Sequence, residues 1–418
     1  MSTKAHKSTV TSLRFFPSSR VILSSSADFS LQIYPADPLS PSSSTLPPEN
    51  HSTRIPSVRT LLPLPSSSSP HTRPSPISAT AILGRGRTIL SASNSSDGAI
   101  RTWDVSKGIE VEESVGRTGG GGGGVNKIVF VEDDDRAEAG GHWAVNGTGA
   151  GGEGQGASGT IPAGDRDGGQ AQAQEVKGKL FCTLQDGSFE VFQISSPSSS
   201  SRPKSLFKST RSPHGALTAV AVSSIQAILL SSSFFKKFQL LATGTSGGVI
   251  TVYAIAIPPS SSSSISPSSH VQPEIEAEAE ALSQSLSLST PLVKFRRSDA
   301  GIEDLAFTSL PSSSDGTQGL GLVVATTDGL PWIAKLKLSP LSLTSQSGSF
   351  SAGTEIEEVK VEIGVEVGIY AELTGGDVDP VRGVAVVGHS RLGEGELEGD
   401  GTEVWTAGDD GVVRRYLL

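Results

Sequence analysis

An all-β propeller, six small sheets built on one repeated hairpin, is the fold this sequence predicts, and three observations predict it. One unit recurs six times: an apolar strand, a short Ser/Thr/Gly stretch, a tight turn, then a second strand. In five of the six copies an aromatic residue stands six positions after the first turn residue. No long stretch shows the 3.6-residue apolar period of a helix.

The copies run in order. Val21-Ile22-Leu23 leads through Asp28 to Tyr34, Thr88-Ile89-Leu90 through Asp97-Gly98 to Trp103, and Leu180-Phe181-Cys182 through Asp186-Gly187 to Phe192. Leu240-Leu241-Ala242 leads through Gly247-Gly248 to Tyr253, and Val404-Trp405-Thr406 through Asp410-Gly411 to Tyr416. A sixth copy, Leu322-Val323-Val324 through Asp328-Gly329, puts Ala334 at the aromatic's place, with Trp332 two residues early. Asp-Gly supplies the positive φ of a two-residue hairpin turn, and the flanking residues alternate as half-buried strands do. Upstream of most hairpins lies another short strand, at Val10–Phe16, Lys127–Phe130, Leu217–Val222, Ile302–Phe307 and Val381–Val386. Three strands per unit with a fainter fourth is the content of one propeller blade. Five equal offsets with matching strands upstream set a repeat apart from ordinary hairpins in a sandwich.

The turns are 61 to 89 residues apart, against the ~40–45 of a compact four-stranded unit. The excess lies in insertions at about 38–76, 119–169, 195–212, 258–291 and 339–353, where Ser, Pro, Gly and other small residues dominate. Such tracts bury too little apolar surface to offset the entropy of ordering, so they are expected to be disordered. Loop closure grows costlier only logarithmically with length, so a propeller tolerates them. Glu274–Ala281, acidic and alanine-rich, is a short helix candidate inside one insertion. The whole chain is expected to form a single domain.

Composition removes several function classes. The chain has 418 residues with 48 Gly and 25 Pro, and Ser outnumbers both. One cysteine, Cys182, excludes a disulfide framework or a multi-cysteine metal site, and no cofactor or metal is expected. A formal charge of −10 makes nucleic acid an unexpected partner. No stretch reaches the ~18 consecutive apolar residues of a membrane span. The first residues are polar and lead into no apolar run, so no secretory leader is expected. His51, His71 and His270 lie in low-complexity sequence, where a nucleophilic triad would lack a rigid orienter. The glycine runs 119–124 and 147–156 lack the Gly-Lys-Ser/Thr ending of a phosphate loop. No catalytic residue is assigned, and protein binding is the expected activity. Acidic loops at Glu132–Asp135, Asp377–Asp379 and Asp409-Asp410 would steer a basic partner.

The islands resemble WD-repeat propellers: Trp103-Asp104 stands in the second, and His6 occupies the usual Gly-His place of the first. More specifically, two stretches resemble the proteasomal ATPase-associated factor family, WD-repeat chaperones of the proteasome regulatory particle. One is Val10–Ser18 with Val21–Ser24; the other is Glu372-Leu373-Thr374-Gly375-Gly376-Asp377-Val378-Asp379-Pro380-Val381 with Asp410–Leu417. The resemblance implies a seven-bladed ring, binding to the C-terminal domain of a proteasomal ATPase subunit, a role in regulatory-particle assembly, a monomer apart from its partner, and a cytoplasmic and nuclear location. Only Met1–Ala5 precede the first matching segment, so a chain truncated at its start is expected, or else a six-bladed ring closed another way. A different WD adaptor, such as a ubiquitin-ligase substrate receptor, is the alternative. The resemblance also implies that the turn acids Asp28, Asp97, Asp186, Asp328 and Asp410 are structural, each accepting hydrogen bonds that pin its turn. Tyr34, Trp103, Phe192, Tyr253 and Tyr416 are core aromatics of their blades. Asp377, Asp379, Asp409, Arg414 and Arg415 are the candidate partner-binding residues.

Overall fold

Six antiparallel sheets follow one another along the chain, each pairing its second and third strands as the two arms of a hairpin. The computed structural model describes residues 6–8, 10–18, 20–35, 57–62, 76–84, 86–95, 98–115, 123–133, 177–194, 203–223, 227–231, 234–256, 291–311, 319–346, 358–374, 379–388, 402–409 and 413–418. Among these residues there are strands and no helix. The candidate helix 274–281 lies outside them, as do His51, His71 and His270.

Blade 1 comprises β1 (Val10–Phe15), β2 (Val21–Ser26), β3 (Leu31–Pro35) and β4 (Arg59–Leu61). Blade 2 comprises β5 (Ile77–Leu83), β6 (Thr88–Ser93), β7 (Ile100–Asp104) and β8 (Ile109–Val115). Blade 3 comprises β9 (Val125–Glu132), β10 (Gly178–Leu184), β11 (Phe189–Ile194) and β12 (Lys204–Lys208). Blade 4 is β13 (Leu217–Val222), β15 (Phe234–Thr245), β16 (Ile250–Ala256) and β17 (Val293–Phe295), with β14 (Ala227–Ser231) paired to β15. Blade 5 is β18 (Ile302–Leu310), β19 (Gly319–Thr326), β20 (Trp332–Gln346) and β21 (Glu358–Glu372). Blade 6 has three strands, β22 (Val381–Gly388), β23 (Thr402–Gly408) and β24 (Val413–Leu417). The faint fourth strand is therefore real in five blades. Several strands fall within ranges expected as insertions: β4, β9, β12 and the end of β20.

The turns differ in detail from the two-residue form the sequence suggests. In blade 3 Gly187 N donates to Leu184 O, and Leu184 N closes the hairpin on Ser188 O. That is a three-residue loop, a β-turn followed by one residue at positive φ. Gly187 (φ 86°), Gly248 (φ 78°) and Gly329 (φ 74°) hold this place, and in blade 1 Phe29 does so at φ 70°. The aspartate stays at negative φ and works as an acceptor: Ser188 N and Ser30 N donate to Asp186 and Asp28 at 3.0 and 3.1 Å. A carboxylate two residues ahead of the amide it accepts from is a side-chain-closed turn. In blade 4, where Gly247 replaces the acid, Val249 N donates to Thr245 Oγ1 at 3.0 Å instead.

Each inner strand carries a bulge near its start, leaving Thr11, Ser78, Asn126, Thr218, Glu303 and Arg382 as the extra residues. An extra residue escapes the pleat's alternation and can be re-aimed. From blade 2 onward these side chains reach the next blade. Ser78 Oγ donates to Val125 O at 2.6 Å, Asn126 Nδ2 to Leu217 O at 2.8 Å, and Thr218 Oγ1 to Ile302 O. Glu303 pairs with Arg382 at 3.0 Å. The inner strands also converge on an axis, because Lys127 of blade 3 reaches Asp304 of blade 5 at 3.6 Å.

Five apolar clusters fill the five successive interfaces between blades. Third-strand aromatics sit on the face turned to the preceding blade: Trp103 between blades 1 and 2, Phe192 between 2 and 3, Tyr253 between 3 and 4, Tyr416 between 5 and 6. Each stands across from an apolar residue of the second strand, as Trp103 from Ile89 and Phe192 from Leu180. In blade 5 Ala334 takes that register opposite Leu322, and Trp332, two residues away on the same face, supplies the bulk. The corresponding face of blade 1 bears Tyr34, Leu13 and Phe15, with Val58 and Leu62 at its outer strand. Leu13, Phe15, Val58 and Leu62 are 49–68% exposed, and among the described residues no blade 6 strand packs on this face as the other neighbours pack on theirs.

Candidate protein-interaction face

The strand order places two kinds of connection at one end of the propeller: the turns between second and third strands, and the segments that lead into the inner strands. The three longest connections, 36–58, 133–177 and 257–292, join strands at the opposite end, while the next longest, 62–76, leads into β5 at the first end. The first end is thus the more compact one, and its turns in blades 1, 3, 4 and 5 are each pinned by a side chain.

The most complete pin is in blade 1. His6 Nδ1 lies 2.9 Å from Ser30 Oγ and 3.5 Å from Asp28 Oδ1, while Nε2 meets Ser24 Oγ at 2.7 Å. Asp28 also accepts from Lys7 N at 2.6 Å and Ser30 Oγ at 2.6 Å. Burial alone would raise this carboxyl's pKa, but the bonds from Ser30 and Lys7 and the nearby His6 outweigh it and hold the value down at about 2. Asp186 is lowered for similar reasons: the Ser188 bonds and the Arg211 and Lys208 charges overcome its partial burial. Arg211 Nε donates to it at 3.2 Å. Asp328 accepts from Thr326 Oγ1 at 2.5 Å and from Leu330 N at 3.1 Å. In these three turns the acid is bonded to its own loop, the arrangement of a brace. Asp97 and Asp410 lie outside the described residues.

Of the candidate contact residues, Asp377 lies outside the described residues and Asp379 is exposed just before β22. Asp409 does not face solvent alone. Arg382 Nε and Nη2 grip it in a two-pronged pair at 3.0 and 2.7 Å while Arg382 Nη1 holds Glu303. Arg415 donates to Glu403 and lies 5.7 Å over the Trp405 ring, and Arg414 is half-buried beside it on β24. Of the acidic run 132–135, Asp133 is tied down, accepting from Lys179 and from Gln193 Nε2 at 3.1 Å, while Asp134 and Asp135 lie outside the described residues.

The rim of blades 5 and 6 holds groups that sequence reasoning did not single out. Arg297 pairs with Glu372 at 2.6 Å and lies 5.7 Å from the Trp332 ring centre, and Arg296 pairs with Asp299 at 2.7 Å. Leu330, at the tip of the blade 5 turn, is 52% exposed. Arg296-Arg297 directly after a short strand was the available signal. Nothing local in the sequence shows that Arg382 and Asp409, 27 positions apart, would meet.

Among the described residues no cluster of three or more His, Cys, Asp or Glu side chains forms a metal-binding group, and no helix is long and apolar enough to cross a membrane. Cys182 is fully buried, and burial with the nearby Glu190 pushes its thiol pKa well up. Residues 1–34 match the WD domain, G-beta repeat family. No curated protein matches the chain. The match spans the segment that carries the His6–Asp28–Ser24 network of blade 1, whereas the six-bladed arrangement rests on the six sheets.

Proposed function

We propose that this WD-repeat propeller is a non-enzymatic binding protein that takes a proteasomal ATPase subunit on its compact end during assembly of the proteasome regulatory particle. The carrying observation is the placement of Glu372–Val381, the more specific of the two stretches that resemble the ATPase-associated factors. Its described parts form the rim between blades 5 and 6, flanked by the Arg297–Glu372 and Arg382–Asp409 pairs. A rigid rim of half-exposed charge pairs around an apolar tip gives a partner orientation and specificity more than raw affinity. Braced turns suit this role, because a surface already ordered loses little entropy on docking. Chaperoning needs only a face offered to one subunit and withdrawn later; no bond is made or broken. Such a protein would work where proteasomes assemble, in cytoplasm and nucleus.

The test is affinity capture from a proteasome-containing extract with the full chain immobilised. Retained regulatory-particle ATPases, lost with Arg382→Glu, are the expected result. Retention of cullin-ligase subunits in their place would replace this reading with that of a ubiquitin-ligase adaptor.

A further inference from the structure

The fourth strand of blade 5 differs from the fourth strands of the other blades. β4 and β17 have three residues each and carry a cation, Arg59 and Lys294, while β12 has five residues with Lys204 and Lys208 at its ends. β8 has three glutamates among its seven residues. Short length and charge keep a sheet edge from pairing with another chain. β21 has neither protection in full: it runs for 15 residues, EVKVEIGVEVGIYAE, with valine or isoleucine at every second place from Val359 to Ile369. We infer that β21 pairs antiparallel with β21 of a second copy of this chain, about a twofold axis at Ile363.

The strand is accessible where the pairing needs it. Ile369 is 59% exposed, Tyr370 41% and the Glu366 side chain 76%, and a Cβ added at Gly368 would meet no atom within 4 Å. Among the described residues β21 pairs with β20 alone. β19 in turn pairs with β20 only over Trp332–Leu336, so 337–346 and 358–367 form a ribbon of two strands. Two strands by themselves are marginal in water, and further strands stabilise them.

The order of residues along β21 argues that the added strand is a copy of itself. About Ile363, Lys360 falls opposite Glu366 of the copy, and Glu366 opposite its Lys360. Glu358 and Glu362 fall opposite Gly368 and Gly364, Val359 opposite Val367, and Val361 opposite Val365. Opposite charges facing each other across strands stabilise the pair and like charges destabilise it. No like charges meet in this register, whereas moving the axis by one residue sets Glu362 against itself or against Glu366. Val365 and Val367 pack against the cluster between blades 4 and 5, and the matching valines of the copy fall in the same row. Because the same patch serves both partners, the contact closes at two copies. The paired stretch 358–368 stops short of Glu372 and the rim beyond it, so it stands or falls independently of the ATPase reading. A dimer departs from the monomer that the family resemblance implies.

Sedimentation equilibrium of the full chain over a range of protein concentrations tests the pairing, and a reversible dimer is expected. Glu366→Lys sets lysine against Lys360, and Lys360→Glu sets glutamate against Glu366, each at both symmetry-related places. Either change should raise the dissociation constant about tenfold. The double variant, Lys360→Glu with Glu366→Lys, exchanges the two charges and should restore the wild-type dimer. It does not restore the Lys337–Glu366 bridge within one chain, so rescue reads the contact between copies. Circular dichroism and thermal unfolding check that all three variants keep the wild-type fold. A wild-type monomer at every concentration, a dimer indifferent to both single changes, or a double variant as weak as the single ones overturns the proposal.

Discussion

Replacing Asp304 by alanine tests whether the inner strands converge on one axis. Its carboxylate meets Lys127 of blade 3 at 3.6 Å and accepts from Val384 N of blade 6 at 3.2 Å, with side chains only 8% and 16% exposed for Asp304 and Lys127. At an effective dielectric of about 20, unit charges at that separation attract by about 4–5 kcal/mol, most of it offset by lost hydration. Removing the carboxylate forfeits the attraction yet leaves the ammonium poorly hydrated, and it orphans a buried amide. The expected cost is about 3–5 kcal/mol. Lys127→Met removes the ammonium while keeping the stem's packing, and the pair's coupling in a double-mutant cycle should be about 1.5–3 kcal/mol. Urea unfolding of the four proteins, with matching slopes, measures it. A coupling below about 0.5 kcal/mol would mean that blades 3 and 5 do not meet, and the radial arrangement would have to be abandoned.

Other perturbations probe single blades. Trp103→Ala, which empties a site 1% exposed and deprives Ser91 of its indole donor, should cost about 3–5 kcal/mol in the same assay. Gly248→Ala should lower stability by about 2–3 kcal/mol, since φ is +78° and an added Cβ would lie 2.5 Å from Ser298 O and 2.7 Å from Ala300 O; a thermal midpoint equal to wild type would count against the turn geometry. Asp28 has a folded pKa of about 2 against an ordinary 3.8, so its charged form is favoured by folding. The stability it contributes is full above pH ~4 and disappears as pH falls through about 2. The gap between wild type and Asp28→Asn should therefore be constant near neutrality and close over that window, as followed by unfolding at stepped pH.

The six hairpins could be read from the sequence because a turn and its two strands are local. Asp186-Gly187 and Phe192 are separated by one strand's length, so a fixed offset survives whatever happens between blades. The fainter fourth strands were harder. β12, for example, is five residues between Ser-rich tracts, and only its pairing with β11 makes it a strand. The aromatic missing at position 334 was visible, but its replacement by Trp332 required knowing that residues two apart share a face against blade 4. Of the candidate contact residues, Asp409 was found by charge, yet its grip by Arg382 was not legible.

The amino-acid sequence alone determined the repeat, the all-β class and the positions of Tyr34, Trp103 and Phe192, which blades 1, 2 and 3 bury. These depend on backbone preferences and side-chain alternation over a dozen residues. The tertiary structure decided what joins one blade to the next: the bulged residues that reach across, the Lys127–Asp304 pair at the axis, and the third-strand aromatics packed against the preceding blade. Those contacts link positions tens to hundreds of residues apart, and a pairing energy between distant groups leaves no periodicity in the chain that carries them.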